Sequence, residues 1–253
     1  MIMFGLDPST TTGWALLEND ILIERGTIQL LSQMGLPQKL NYFRLELKSL
    51  LERLKPDWVF IEDVILCLSG VSVLSYLSRL NGVAISTSFE FLQDRVKLYT
   101  PNYWKANSFP GLKGSAKKWE IQLAVIKHYN IPVTGNFELI DKTIKEKSLE
   151  ISEINKKIDE CKILILERKK SLLRKKNPIT LQEKDICEKE LKVFSTQLSK
   201  YKHVIKDKEH SYDKVFRKIS IDLASQTGIT ENVADACGIA LCGWKELNDS
   251  NKK

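Results

Sequence analysis

The sequence lacks any long uninterrupted hydrophobic run. No stretch of about 18 uncharged apolar residues occurs, so no membrane-spanning helix is expected. The N-terminus has no basic segment ahead of an apolar one, and Asp7 interrupts the first apolar run early. A secretory signal is therefore not expected, and the sequence predicts a cytoplasmic or nucleoid-associated protein.

Cysteine is scarce and shows no ligand pattern. The five cysteines are Cys67, Cys161, Cys187, Cys237 and Cys242. None of them forms a CxxC pair, and their number is odd, so neither a disulfide framework nor a cysteine metal site is expected. We interpret them as free thiols in a reducing compartment.

Acidic residues are outnumbered by basic ones. The net charge is +7 and the pI about 9.0, which makes a polyanion such as nucleic acid a plausible partner. The 253 residues, 43% of them hydrophobic, suffice for one large domain or for a mid-sized domain with an accessory element.

Glycine is absent from residues 138–222, and Pro178 is the only proline there. This segment holds 22 lysines and arginines against 16 acidic residues, and its apolar residues repeat every seven positions. The first arm carries Ile144, Ile151, Ile154, Ile158, Cys161, Ile165 and Leu172, and the second carries Cys187, Leu191, Phe194, Leu198, Tyr201, Ile205, Tyr212, Val215 and Ile219.

Two heptad arms separated by Asn177-Pro178 predict an antiparallel coiled-coil hairpin that projects as a stalk. Thr180 and Glu183 form a capping box for the return arm. We place this insert at residues 136–225, and a single domain at residues 1–135 and 226–253.

Outside the insert, short apolar runs alternate with helical patterns, which predicts an α/β domain whose first three strands form an antiparallel meander. The expected strands are 1–7, 13–18, 22–30, 58–61 and 96–99, and the expected helices are 36–54, 71–92, 115–129 and 231–247.

Three carboxylates lie next to apolar segments, where a buried negative charge needs a compensating positive charge. Asp7 and Glu62 each end an apolar strand, and Asp235 lies between apolar neighbours in the first turns of the last helix. A buried unpaired carboxylate is costly, and divalent metal ions would compensate three of them together. The alternative interpretation of Asp7 alone is a cap of the hairpin turn at Pro8.

These residues resemble the RuvC family of Holliday junction resolvases, which have an RNase H-like fold. The resemblance implies an α/β domain with a mixed five-stranded sheet flanked by helices. The resemblance rests on Asp7-Pro8 with Thr12-Gly13, on Ile61-Glu62 and on Ala234-Asp235-Ala236. The stretches 80–83 and 114–118 also resemble the family's dimer-side helix and the basic start of its penultimate helix. The likeness covers residues 1 to about 130 and 228–247, and does not cover the hairpin.

The resemblance implies a homodimeric endonuclease that hydrolyses branched DNA with two Mg²⁺ ions, for which Mn²⁺ would substitute. Asp7, Glu62 and Asp235 would hold the metals. The family usually has an Asp or His one turn before the last acid, where this chain has Asn232, so Asn232 or Glu231 would assist. Lys118 matches the family's helix lysine.

Further residues are candidates for DNA contact, each with a plainer alternative. They are Lys113 and Lys117 near Lys118, Tyr103 and Trp104 for base stacking, and the clusters Arg168-Lys169-Lys170 and Arg174-Lys175-Lys176 near the hairpin tip. The alternatives are a solvated helix start, core or hinge packing, and a hairpin that binds its twin or a protein partner.

Two other functions fit parts of the pattern. The strand-Asp-Ser/Thr-Gly start also occurs in actin-like and sugar-kinase ATPases, although no later glycine-rich adenosine motif follows. The non-enzyme alternative is a catalytically weak junction-binding scaffold. Asn232 favours it, because the family usually has an Asp or His at this position. By analogy alone, a compact resolvase with such an insert suggests a phage, virus or mobile element.

Overall fold

A computed structural model describes residues 1–64, 70–133, 137–172 and 181–250 of the chain. The chain divides into two compact units, one of residues 1–134 and 220–253 and the other of residues 135–219. Each unit is described by itself below.

The first unit is built on one five-stranded sheet. Its strands are β1 (Ile2–Asp7), β2 (Thr11–Glu18), β3 (Ile21–Gln29), β4 (Trp58–Glu62) and β5 (Val96–Tyr99). The order is β3-β2-β1-β4-β5, with β1 antiparallel to β2, β2 antiparallel to β3, and β4 parallel to both β1 and β5. The predicted class, a mixed five-stranded RNase H-like sheet flanked by helices, is confirmed.

Within the described residues, six helices belong wholly to this unit. They are α1 (Leu36–Leu54), α2 (Val71–Leu92), α3 (Pro101–Ser108), α4 (Lys118–His128) and α7 (Glu231–Ser250), with a short 3-10 turn at Gln93–Arg95 as the sixth. Helix α3 was not predicted from the sequence, and α4 begins at Lys118, three residues after its predicted start. The proline at the start of α3 is well placed for a first helical position, but the helix has only eight residues and therefore little periodicity to detect.

The turn after β1 reverses the chain directly behind Asp7. The Thr12 hydroxyl donates to the Ser9 carbonyl at 2.8 Å and accepts from the Ser9 backbone N–H at 3.1 Å. Asp7 is then paired with Gly13 of β2. The Ser/Thr turn therefore leaves Asp7 as the last residue of a central strand.

The two faces of the sheet carry different side chains, because successive residues of a strand point in opposite directions. Phe4, Leu6 and Trp14 lie on one face in a buried cluster with residues of α1 and α2. Gly5 and Gly13 lie on the other face, against α7. Asp7 has the same parity as Gly5 and therefore also faces α7.

Glycine allows α7 to approach the sheet closely. A Cβ built on Gly5 would stand 2.1 Å from the Ala236 carbonyl oxygen, and one on Gly13 would stand 2.0 Å from the Asn232 carbonyl oxygen. Both obstacles are backbone atoms, which cannot rotate away. These two glycines therefore fix the depth at which residues 232–236 of α7 lie over β1 and β2.

We expect Gly13→Ala to lower the free energy of unfolding by about 3 kcal/mol, since overpacking a closed core costs on this order. Urea unfolding at equilibrium would measure it. Gly82→Ala is the matched control, because Gly82 lies within α2 with no atom near its built Cβ, and alanine there should stabilise by about 0.5–1 kcal/mol. Equal stability of Gly13→Ala and the wild type would contradict this packing.

The second unit consists of two antiparallel helices, α5 (Phe137–Leu172) and the part of α6 (Leu181–Thr227) before residue 220. Glu150 of α5 accepts from Lys208 at 2.7 Å, and Arg168 pairs with Glu190 at 2.7 Å. Later residues of α5 thus meet earlier residues of α6. Tyr212 also donates its hydroxyl to Glu150, and the Lys147 ammonium lies 4.0 Å from the centre of its ring.

Burial within the hairpin follows a spacing of three and four residues. Ile158 and Cys161 of α5 are buried, as are Tyr212 and Phe216 of α6. Val215 was expected in this row, but it is 39% exposed, because the α6 row passes through Phe216 instead. The predicted break at Asn177-Pro178 and the Thr180 cap lie outside the described residues.

No helix within the described ranges is long and apolar enough to cross a membrane. Four of the cysteines, Cys161, Cys187, Cys237 and Cys242, are free thiols, and the fifth, Cys67, lies outside the described residues.

Candidate active site

Asp7 and Glu62 end neighbouring parallel strands. Leu6 of β1 is paired with Ile61 of β4. The next residue of each strand is an acid, so both acids lie at the carboxyl ends of neighbouring strands. Glu62 shares its parity with Phe60, which meets Gly243 of α7, so both acids face that helix. Parallel strands carry their carboxyl ends to one edge, which brings the two carboxylates together.

Asp235 is brought to the same place by α7. Residues 232–236 of this helix lie against Gly5 and Gly13, and Gly13 is the pairing partner of Asp7. Asp235 is only 5% exposed and Asp7 only 8% exposed. The three predicted acids, from two strands and one helix, therefore share one partly closed region.

Burial and mutual repulsion disturb all three carboxylates. Burial raises the pKa of Asp7 to about 7, with a further contribution from the Asp235 charge. The pKa of Glu62 rises to about 7 through burial and the charge of Asp7. Burial and the charge of Glu62 raise the pKa of Asp235 to about 7 as well. Each acid thus resists ionisation beside the others, as expected for carboxylates that are buried close together.

The donor set fits a hard divalent cation. Asp235 Oδ1 is buried and has no hydrogen-bond partner among the described residues. Carboxylate oxygens are the ligands that Mg²⁺ prefers, and a cation would supply the missing partner. Among the described residues, however, no three aspartate, glutamate, histidine or cysteine side chains lie close enough together to hold a metal ion as they stand.

Glu62 is held from two sides. The Trp104 indole Nε1–H donates to Glu62 Oε2 at 2.7 Å, and the Asn81 side-chain amide donates to the Glu62 carbonyl oxygen at 2.6 Å. Trp104 is fully buried, so the expectation that it stacks on a DNA base is wrong. Its indole instead packs inside the fold and fixes a predicted site carboxylate.

Lys118, at the start of α4, faces the acids. Its Nζ lies 3.5 Å from Asn232 Oδ1 and 3.7 Å from Glu231 Oε2. Although partial burial acts in the opposite direction, the charges of Asp235, Asp7, Glu231 and Glu62 raise the pKa of Lys118. It therefore stays protonated at neutral pH beside the predicted metal ligands.

Asn232 is oriented by its own hydrogen bonds. Its side-chain amide donates to the Thr11 carbonyl oxygen of β2, which leaves its Oδ1 on the side of Lys118. Glu231 is half-buried and lies against the same ammonium. Both residues contact Lys118, and their participation in metal binding stays a prediction.

Lys105 of α3 belongs to the site and was not predicted from the sequence. Its charge lowers the pKa of Asp7, of Glu62 and of Asp235, and its Nζ lies 5.5 Å from the centre of the Trp104 ring. The signal that could have found it is the short YWK segment, which follows β5 after three residues. It was overlooked because α3 was not predicted.

The remaining candidates lie at the surface. Lys113 and Lys117 are exposed just before α4, and Tyr103 is 46% exposed while its hydroxyl donates to Glu246 at 3.3 Å. Their contact with DNA stays a prediction.

The described residues of the two basic clusters near the hairpin tip differ in whether their charge is paired. Lys169 and Lys170 are exposed, whereas Arg168 is paired with Glu190. Arg174, Lys175 and Lys176 lie outside the described residues. Within the two clusters near the hairpin tip, Lys169 and Lys170 are therefore the described residues whose charge is exposed.

Three antiparallel strands followed by two parallel ones, with acids at adjacent strand ends and on the crossing helix, define a protein of the RNase H-like class. No protein-family model matches the chain. The crossover junction endodeoxyribonuclease RuvC of Syntrophomonas wolfei is 32% identical over 132 residues, which cover 50% of this chain and 74% of that protein. The chain belongs to the RuvC family.

Another relative is the RuvC enzyme of Magnetococcus marinus, 33% identical over 88 residues that cover 33% of this chain and 48% of that protein. The chain spans about half the length of this relative. Among solved structures, Thermus thermophilus RuvC, alone and in complex with a Holliday junction substrate, is 18% identical with a TM-score of 0.46, and each match covers 54% of this chain and 84% of the other.

Proposed function

We propose that this chain is a divalent-metal-dependent endonuclease that resolves four-way or other branched DNA. The observation that carries the proposal is the convergence of Asp7, Glu62 and Asp235, each with its pKa raised to about 7, on a protonated Lys118. Its RuvC relatives, named as junction endonucleases, support the substrate class. They also weigh against the actin-like or sugar-kinase ATPase alternative.

The three acids would hold two Mg²⁺ or Mn²⁺ ions, with Asn232 or Glu231 assisting. Bound there, divalent ions would activate water and offset charge at the scissile phosphate. The buried Asp235 Oδ1 fits this role, because it has no hydrogen-bond partner in the part of the chain that the structure describes and is otherwise an unsatisfied acceptor.

The two lysines would act on the substrate directly. Lys118 and Lys105 bring positive charge to a cluster of three acids that would otherwise repel a DNA phosphate. A protonated amine beside the reacting phosphate stabilises negative charge that builds up as the bond breaks. We therefore assign both lysines to substrate phosphate, with Lys113 and Lys117 along the approach to it.

Two symmetric nicks require two sites, so we propose a homodimer. The hairpin would add either contact with a DNA arm through Lys169 and Lys170 or contact with a protein partner. A basic hairpin gives salt-dependent affinity without sequence choice, so a measured salt slope would separate the two.

The function is tested by incubating the purified chain with a labelled four-way junction and Mg²⁺, with a linear duplex and EDTA as controls. We expect paired nicks on the junction alone, and none in EDTA. Tight junction binding without Mg²⁺-stimulated cleavage would favour the scaffold alternative instead, and ATP hydrolysis without DNA cleavage would favour the ATPase.

We expect Lys118→Met to slow junction cleavage by about 10²-fold, a loss typical of removing one charge-stabilising donor. Lys105→Met should act in the same direction. Single-turnover rates at saturating enzyme would measure the chemical step. Lys48→Met is a matched control, since Lys48 lies on α1 in a surface pair with Glu52. Unchanged rates for both site variants would contradict their assignment.

A further inference from the structure

Trp104 links the strand that carries Glu62 to the helix that carries Asp235. Its Nε1–H donates to Glu62 Oε2 at 2.7 Å, and its ring packs on Gly238, whose built Cβ would stand 2.5 Å from Trp104 Cζ3. Gly238 lies one turn after Asp235 on α7. One buried side chain thus touches both elements that supply site carboxylates.

The helix that carries Trp104 is itself anchored. Glu246 of α7 accepts hydrogen bonds from Tyr99 at 2.8 Å and from Tyr103 at 3.3 Å, and it pairs with Lys97 at 2.8 Å. The rings of Tyr99 and Tyr103 stack with their centres 5.4 Å apart. The start of α3 is therefore fixed against β5 and α7, which limits the positions open to the indole.

The hydrogen bond from Trp104 occupies Glu62 Oε2 and leaves Glu62 Oε1 available to a cation. A carboxylate with Oε2 tied to a rigid donor cannot rotate freely, so its Oε1 keeps one direction relative to the sheet edge. Packing on Gly238 needs only an aromatic ring, whereas the bond to Glu62 needs the indole N–H. The two roles of Trp104 can therefore be separated by substitution.

We infer that Trp104 is a positioning residue of the metal centre, which orients the Glu62 carboxylate for a divalent cation through its indole N–H. This inference rests on the proposed function, because it assumes that Glu62 is a metal ligand. Second-layer partners of metal-binding carboxylates typically contribute 10- to 100-fold to metal affinity.

The test is Mn²⁺ binding without DNA, measured by electron paramagnetic resonance, for wild type, Trp104→Phe, Glu62→Gln and the double variant. We expect Trp104→Phe to weaken Mn²⁺ binding by about 10-fold. In the Glu62→Gln background the same substitution should change nothing further, since its effect runs through Glu62. Trp14→Phe, in the core on the opposite face of the sheet, is the matched control and should bind Mn²⁺ like the wild type.

An equal loss of affinity in both backgrounds would overturn the inference, because Trp104 would then act only by packing. Unchanged Mn²⁺ binding in Trp104→Phe would overturn it as well, as would a wild type that binds no Mn²⁺. If the wild type binds Mn²⁺ and the coupling to Glu62 is present, but no junction is cut, the inference stands and the proposed function fails.

Discussion

Asp7→Asn is expected to abolish Mg²⁺-dependent junction cleavage, with a fall in rate of about 10³-fold or more. The substitution keeps the size of the side chain and removes the charge at the end of the central strand. A metal centre supplies several kcal/mol of charge stabilisation to the reacting phosphate, and each 1.36 kcal/mol corresponds to a factor of ten in rate. Single-turnover cleavage of a labelled four-way junction measures this effect.

Junction binding by Asp7→Asn should not fall with the cleavage rate. Asp7 is one of three acids near the proposed phosphate position, so its neutralisation removes repulsion, and junction affinity in EDTA should stay equal or rise. Asp94→Asn is the matched control, since Asp94 is exposed in the turn between α2 and β5. An Asp7→Asn variant that cuts as fast as the wild type would remove the basis of the nuclease proposal.

The sequence predicted the sheet well because its strands are short apolar runs with clear ends. Glu62 was placed at its strand end by the pattern alone, and Asp235 drew attention because a charge stood among apolar neighbours. What the sequence could not supply was the close contact of α7 with the sheet, which depends on Gly5 and Gly13 meeting backbone atoms.

Trp104 and Lys105 show where sequence reasoning failed. Trp104 was a candidate for base stacking with core packing as the alternative, and its buried indole, which donates to Glu62, agrees with core packing. Burial depends on which helix covers a residue, and α3 is too short to reveal a face by periodicity. Lys105 was missed for the same reason, since its role follows only from the position of that helix.

Asp235→Asn is expected to stabilise the metal-free protein at alkaline pH. The folded pKa of Asp235 is about 7, against an ordinary value of 3.8. Between these values the folded state binds more protons than the unfolded state, so wild-type stability falls as pH rises from about 4 to about 7. Three pH units correspond to a cost of at most about 4 kcal/mol at pH 8, which an amide avoids.

Urea unfolding in EDTA at pH 5 and pH 8 would measure the difference, with Asp94→Asn as the exposed control. At pH 8 the variant should exceed the wild type, and the gap should shrink toward pH 4, where the wild-type carboxyl is protonated. Added Mg²⁺ should raise wild-type stability more than that of the variant, because a cation bound only by the folded state stabilises it. Parallel pH curves for the two proteins would show that Asp235 does not share a buried acidic cluster, and the metal centre would then lose its physical basis.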